Sequence, residues 1–132
     1  MLSTKLVSHK TVEALKTLTS FVEDFYLAGG TALSIYYQHR ESLDLDFFTQ
    51  KKLVPDIFIS YLKKNGIDLK KIEIEPSTIH CILSEVSVRF FEYNYPVFEL
   101  RKFKGIKIAS VLDIASMKLS AIMGRSEKKR LF

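Results

Sequence analysis

Apolar residues recur with a helical period through residues 8–23, where Val12, Leu15, Leu18 and Val22 form one stripe and Ser8 stands at the capping position. The period then breaks. Phe25-Tyr26-Leu27-Ala28 is a continuous apolar run, as in a short buried strand, and it ends at Gly29-Gly30. Helical spacing returns from Gly30 to about His39, with Leu33, Tyr36 and Tyr37 at i, i+3 and i+4. Residues 43–49 alternate instead: Leu43, Leu45 and Phe47 turn one way, Asp44, Asp46 and Phe48 the other, which predicts a strand. A third helix is predicted from Pro55, suited to a first helical turn, to Lys64, before the stop signal Asn65-Gly66. Strands follow over about 70–75, 79–84 and 86–93, separated by the turn Glu75-Pro76-Ser77-Thr78 and a tight link at Ser84-Glu85. Lys107-Ile108 predicts another short strand. Ser110 caps a last helix, with Asp113 three residues on, and that helix is expected to end at Gly124. Helices placed early and late around a mostly antiparallel meander define an α+β chain.

At 132 residues the chain is long enough for one packed core, and a hydrophobic content of 47% argues for a folded globule. No apolar run approaches the roughly 18 residues of a membrane span, and Met1-Leu2-Ser3-Thr4-Lys5 has no apolar signal core, so a cytoplasmic location is expected. The single Cys81 lies in the apolar stretch Ile79-His80-Cys81-Ile82-Leu83; it cannot form an internal disulfide and reads as a buried strand residue. Lysine and arginine exceed aspartate and glutamate by 20 to 15, giving a net charge of +5. The lysines fall in scattered pairs such as Lys51-Lys52 and Lys70-Lys71, a pattern that a solvated surface explains better than an RNA partner does.

The candidate chemistry lies in Gly29-Gly30 and in the acid pair Asp44 and Asp46, with thirteen residues between glycine and first acid. A diglycine at a helix start presents backbone N–H groups to an anion, and the helix dipole favours a phosphate there. Carboxylates at i and i+2 of a strand share a face about 6.5–7 Å apart, a separation suited to divalent cations. Each feature also has an ordinary reading, as a strand-to-helix turn and as the solvent face of an edge strand. Phe48 continues the acidic face, where an exposed face would not need it. Lys118 sits in an otherwise apolar helix, on one face with Ile114, Ala121 and Arg125, and either snorkels to the surface or reaches into a site. His9, His39 and His80 are too scattered for a metal motif. There is no P-loop lysine-serine pair and no G-x-S-x-G.

Gly29-Gly30-Thr31-Ala32-Leu33, followed by His39-Arg40, Ser42 and Asp44-Leu45-Asp46-Phe47-Phe48, resembles the signature of the AbiEii/AbiGii-type nucleotidyltransferases. These belong to the polymerase-beta-like superfamily and include toxins of toxin–antitoxin systems. A second block resembles the family's later strand and lysine-bearing helix: Tyr93, Tyr95-Pro96, Ile106-Lys107-Ile108-Ala109-Ser110, Asp113-Ile114-Ala115 and Met117-Lys118-Leu119. The resemblance implies a nucleotidyltransferase-like mixed, mostly antiparallel sheet with flanking helices. Gly29, Gly30 and Thr31 would hold the triphosphate of an NTP. Asp44 and Asp46 would be catalytic ligands of Mg²⁺, a hard cation that prefers carboxylates and phosphate oxygens. Lys118 would neutralise charge during transfer. Arg125 shares its face, and Arg40 could touch phosphate or pair with Asp44 or Glu41. The implied activity moves a nucleotide from an NTP to an RNA (tRNA-like) or protein acceptor, with an antitoxin protein as partner and no membrane.

Two departures from the family pattern stand out. The position that aligns with the superfamily's third carboxylate holds Arg89, and Glu92 has the opposite strand parity. After Gly124-Arg125 the family's acidic motif and further helical region are missing, so residues 1–132 read as a single nucleotidyltransferase-like domain lacking that region. The alternative reading is a degenerate, non-catalytic domain of the same fold that binds nucleotide or a partner protein.

Overall fold

The structure is a computed structural model that describes residues 2–5, 7–37 and 44–130, with side chains described as far as residue 123. Helix α1, His9–Leu18, begins where Ser8 Oγ accepts the Thr11 N–H at 3.1 Å. It is shorter than the apolar stripe predicts, because the chain tightens into a 3-10 turn at Thr19–Phe21. The Thr17 and Thr19 hydroxyls donate back to the carbonyls of Glu13 and Leu15, a competing bond that weakens the helical ladder. Val22 is buried all the same, and the Phe25 N–H closes on its carbonyl at 2.9 Å before strand β1, Tyr26–Ala28.

All three residues of β1 are buried, as its unbroken apolar run predicts. Helix α2 follows at Gly29–Tyr37, one residue earlier than expected, and strand β2 runs Leu45–Thr49. Helix α3, Pro55–Lys64, begins with Pro55 as predicted and ends at Asn65. Strands β3 (Leu69–Glu75), β4 (Thr78–Leu83) and β5 (Val86–Glu92) form the antiparallel meander. Ser84 and Glu85 both take positive φ, the twist that a two-residue hairpin between right-twisted strands requires.

An unpredicted strand, β6 (Leu100–Phe103), turns at Lys104-Gly105 into β7 (Ile106–Ala109), which is longer than its predicted pair of residues. Helix α4, Val111–Arg130, continues past Gly124 where a stop was expected. The strands form one sheet in the order β3-β4-β5-β2-β1-β7-β6. The β2–β5 and β1–β7 pairs are parallel and the others antiparallel, so the sheet is mixed and mostly antiparallel, an α+β fold as read from the sequence.

Strand parity sorts the two faces of the sheet. Leu45, Phe47, Val88 and Phe90 are fully buried on one face, where Phe90 stacks on Phe47 at 5.6 Å and meets Phe58 of α3 edge-on at 4.9 Å. Cys81 belongs to this core opposite Val88, and burial pushes its thiol up to about 11. The opposite parity places Asp46, Phe48, Arg89 and Phe91 on the other face, partly open to solvent. Among the described residues no helix is long and apolar enough to cross a membrane.

Candidate functional site

The second face of the sheet and helix α4 enclose a cavity of about 690 Å³. Its floor is Asp46, Phe48, Arg89 and Phe91, Gly29 closes one end, and Lys118 reaches it from α4. Parity brings Asp46 and Phe48 to the same side of β2, and helical spacing brings Ile114, Lys118 and Ala121 to the same side of α4. Three residues singled out in the sequence therefore meet here: Gly29, Asp46 and Lys118.

The others are placed differently. Asp44 lies one residue before β2, exposed, and is not part of the cavity wall. Thr31 is buried, and its hydroxyl donates to the Asp44 carbonyl, so it ties α2 to the start of β2 rather than opening onto the cavity. Gly30 sits in the first turn of α2 and is not a wall residue either. Arg40 lies outside the described residues, as does the side chain of Arg125, whose backbone continues α4.

Gly29 has a structural necessity that composition alone does not reveal. Its φ is +74°, and a Cβ built there would lie 2.6 Å from Asp46 Oδ2. Only glycine lets the carboxylate approach this backbone so closely.

The parallel pairing of β2 with β5 sets Asp46 directly opposite Arg89. Arg89 Nε donates to Asp46 Oδ1 at 2.7 Å and Nη2 to Oδ2 at 3.2 Å, a bidentate fork, while the guanidinium lies 5.7 Å from the Phe91 ring centroid. The Asp46 side chain is 13% exposed against 43% for Arg89, so the acid is the buried member and the arginine the one facing water. Burial pushes the Asp46 carboxyl upward from its usual value and the nearby Asp44 charge adds to this; the bonds and charge of Arg89 pull the other way.

On the far flank of Arg89 stands His80, whose Nε2 shares a 2.8 Å hydrogen bond with Ser87 Oγ. The sequence-aligned position of Arg89 is thus spatially next to Asp46, but its contact depends on a crossover between strands far apart in the chain.

Aromatic side chains named in the motifs, but given no role there, supply a wall. Phe48 stacks on Phe91 at 4.8 Å and meets Tyr93 edge-on at 5.9 Å, and Tyr93 lies 4.9 Å from Tyr95. The signal was present as the alternation Phe91, Tyr93, Tyr95 continuing past the end of β5. Beneath it the buried Tyr26 hydroxyl has no hydrogen-bond partner among the described residues. Next to Ile114 of the cavity wall, Asp113 anchors the start of α4. Its carboxylate accepts the N–H groups of Phe98 and Glu99 at 2.6 and 3.0 Å and the Ser110 hydroxyl at 2.6 Å. Burial would raise this carboxyl, but these bonds together hold it below the usual carboxylate range.

The described donors do not fit a Mg²⁺ site as they stand. Mg²⁺ demands a near-octahedral set of oxygens. Here both Asp46 oxygens are held by a guanidinium, and among the described residues no cluster of three or more His, Cys, Asp or Glu side chains could hold a metal.

The fold is that of a nucleotidyltransferase-like α+β domain. JHP933 from Helicobacter pylori superposes with a TM-score of 0.54 at 24% identity, covering 86% of this chain and 57% of that one. A second H. pylori chain, provisionally described as a nucleotidyltransferase, gives a TM-score of 0.53 at 24% identity, covering 85% and 59%. The family model described as "Nucleotidyl transferase AbiEii toxin, Type IV TA system" matches residues 13–65, the stretch from α1 through α3 that carries the diglycine and both aspartates. Over that stretch the resemblance to the AbiEii family is borne out. The uncharacterized protein aq_aa25 of Aquifex aeolicus (strain VF5) is 40% identical over 126 residues, which cover 91% of this chain and 61% of that protein. The chain spans about three fifths of the length of these relatives.

Proposed function

We propose that the cavity between β2, β5 and α4 takes an NTP, and that the domain moves a nucleotide from it to an RNA or protein acceptor, as a toxin of the AbiEii type with an antitoxin partner. The observation that carries this reading is the meeting of Gly29, Asp46, Lys118 and an aromatic wall around one cavity of about 690 Å³. Lys118 would neutralise charge on the phosphates, Gly29 and Gly30 would present backbone N–H groups at the start of α2, and Phe48, Phe91, Tyr93 and Tyr95 offer faces on which a base can stack. Asp44 and Asp46, the carboxylates expected to hold Mg²⁺, do not fit it while Arg89 occupies both Asp46 oxygens, so this reading takes no step through a metal.

A second reading, a non-catalytic nucleotide- or partner-binding domain of the same fold, is favoured by that Arg89–Asp46 ion pair. Incubating the purified chain with labelled NTPs and either tRNA or protein acceptors separates the two: label transfer supports the first reading, and binding without transfer the second. Lys118→Met keeps most of the apolar stem, so thermal stability should change little while NTP affinity drops about tenfold. An affinity equal to that of the wild type would remove Lys118 from the site.

A further inference from the structure

The ion pair between Asp46 and Arg89 changes what the cavity can bind. Both line the cavity; Asp46 is the more buried partner, with both oxygens engaged, and Arg89 is the more exposed one. The two bonds to Asp46 use two of the five N–H groups of a guanidinium. Phe91 supports the guanidinium plane from the same strand, and on the β4 side the register partner of Arg89 is His80, which is hydrogen-bonded to Ser87 and stands 3.9 Å from Glu73. Lys118 adds a second cation to the same cavity wall. A divalent cation approaching Asp46 would meet a fixed positive charge on the very oxygens it needs, whereas a phosphate would meet two cations.

We propose that Arg89 serves as the built-in counter-cation of Asp46 and as a phosphate-binding residue, so that this domain binds the phosphates of a nucleotide without a divalent metal. A metal gains Asp46 only when Arg89 leaves it. This rests on the reading of the cavity as a nucleotide site and specifies how that site holds its ligand.

The test uses the 132-residue chain, with ATP binding followed by calorimetry in EDTA and in Mg²⁺, and Mn²⁺ binding without nucleotide followed by electron paramagnetic resonance. The wild type should bind ATP in EDTA within about threefold of its affinity in Mg²⁺. Arg89→Gln, which removes the charge and keeps a planar side chain beside Phe91, should lose about tenfold in ATP affinity in EDTA and gain about tenfold in Mn²⁺ affinity. Asp46→Ala frees the guanidinium from its competitor, so ATP affinity in EDTA should rise about threefold; a site that binds ATP through a metal on Asp46 predicts the opposite sign. Loss of wild-type ATP binding in EDTA, or an Arg89→Gln variant unchanged in both ligands, would overturn the proposal while leaving the nucleotide site intact. Failure of the wild type to bind any of the four NTPs in either buffer would overturn both.

Discussion

Gly29→Ala tests the approach of backbone to carboxylate that shapes the cavity. Two costs combine. Gly29 has a φ of +74°, and an alanine in the left-handed region is strained by about 1–2 kcal/mol. Its Cβ would also stand 2.6 Å from Asp46 Oδ2 and 3.4 Å from Asp46 Cβ and Cγ. The carboxylate cannot simply swing into water, because its side chain is only 13% exposed and Arg89 holds both oxygens. Such overpacking costs about 1–3 kcal/mol, which brings the expected total to about 2–5 kcal/mol. Urea unfolding followed by circular dichroism should report that loss as a lower midpoint with an unchanged slope.

A double-mutant cycle with Asp46→Ala separates the two costs. Removing the carboxylate should recover the steric share, a coupling of about 1–3 kcal/mol, and leave the backbone strain in place. A Gly29→Ala variant within about 0.5 kcal/mol of wild type would refute the close approach itself. A destabilised variant with no coupling to Asp46 would show that the strain is in the backbone alone.

Two further outcomes follow from the same physical reasoning. Asp113 is held below the usual carboxylate range in the folded state, so its stabilising effect is fully present above the unfolded value, near about 3.9, and is lost as pH falls through the folded value. Asp113→Asn should therefore cost about 2–3 kcal/mol at pH 7, where a charged acceptor of part-buried N–H groups is lost, and the gap to wild type should narrow as pH falls below the unfolded carboxylate value in urea titrations; a gap independent of pH would contradict the assignment. Phe90→Ala removes a fully buried ring that touches Phe25, Phe47 and Phe58, and should cost about 3–5 kcal/mol by the same measurement. A loss under about 1 kcal/mol would mean that those rings repack around the space.

What the sequence revealed depended on whether the signal was local. Asp46 and Phe48 share a face because strand parity is a property of consecutive residues, and Lys118 joins Ile114 and Ala121 for the equivalent helical reason. The partner of Asp46 was not legible, because it is set by β2 lying parallel to β5 after a long crossover. Asp113 was visible as a cap to α4, yet its bonds to Phe98 and Glu99 come from a preceding loop that has no periodic pattern. Strand β6 escaped notice because Leu100-Arg101-Lys102 is an exposed edge with a single neighbour, which needs no alternation. Its remaining signal was Lys104-Gly105, a two-residue hairpin turn in which both residues take positive φ. Gly124 did not end α4, since a glycine inside a helix costs only about 1 kcal/mol and no proline follows.

The lone cysteine gives this protein a clock. Thiolate is the reactive form, and with burial raising the Cys81 thiol to about 11 it is scarce at pH 7 in the closed state. Iodoacetamide can therefore reach Cys81 at an ordinary thiol's rate only when the β4–β5 hairpin parts from the core. Each alkylated chain then records one such opening, with no second cysteine to confuse the count. The labelling rate under native conditions reads how often the centre of the sheet opens, and a nucleotide that bridges β5 and α4 should slow it in proportion to its occupancy.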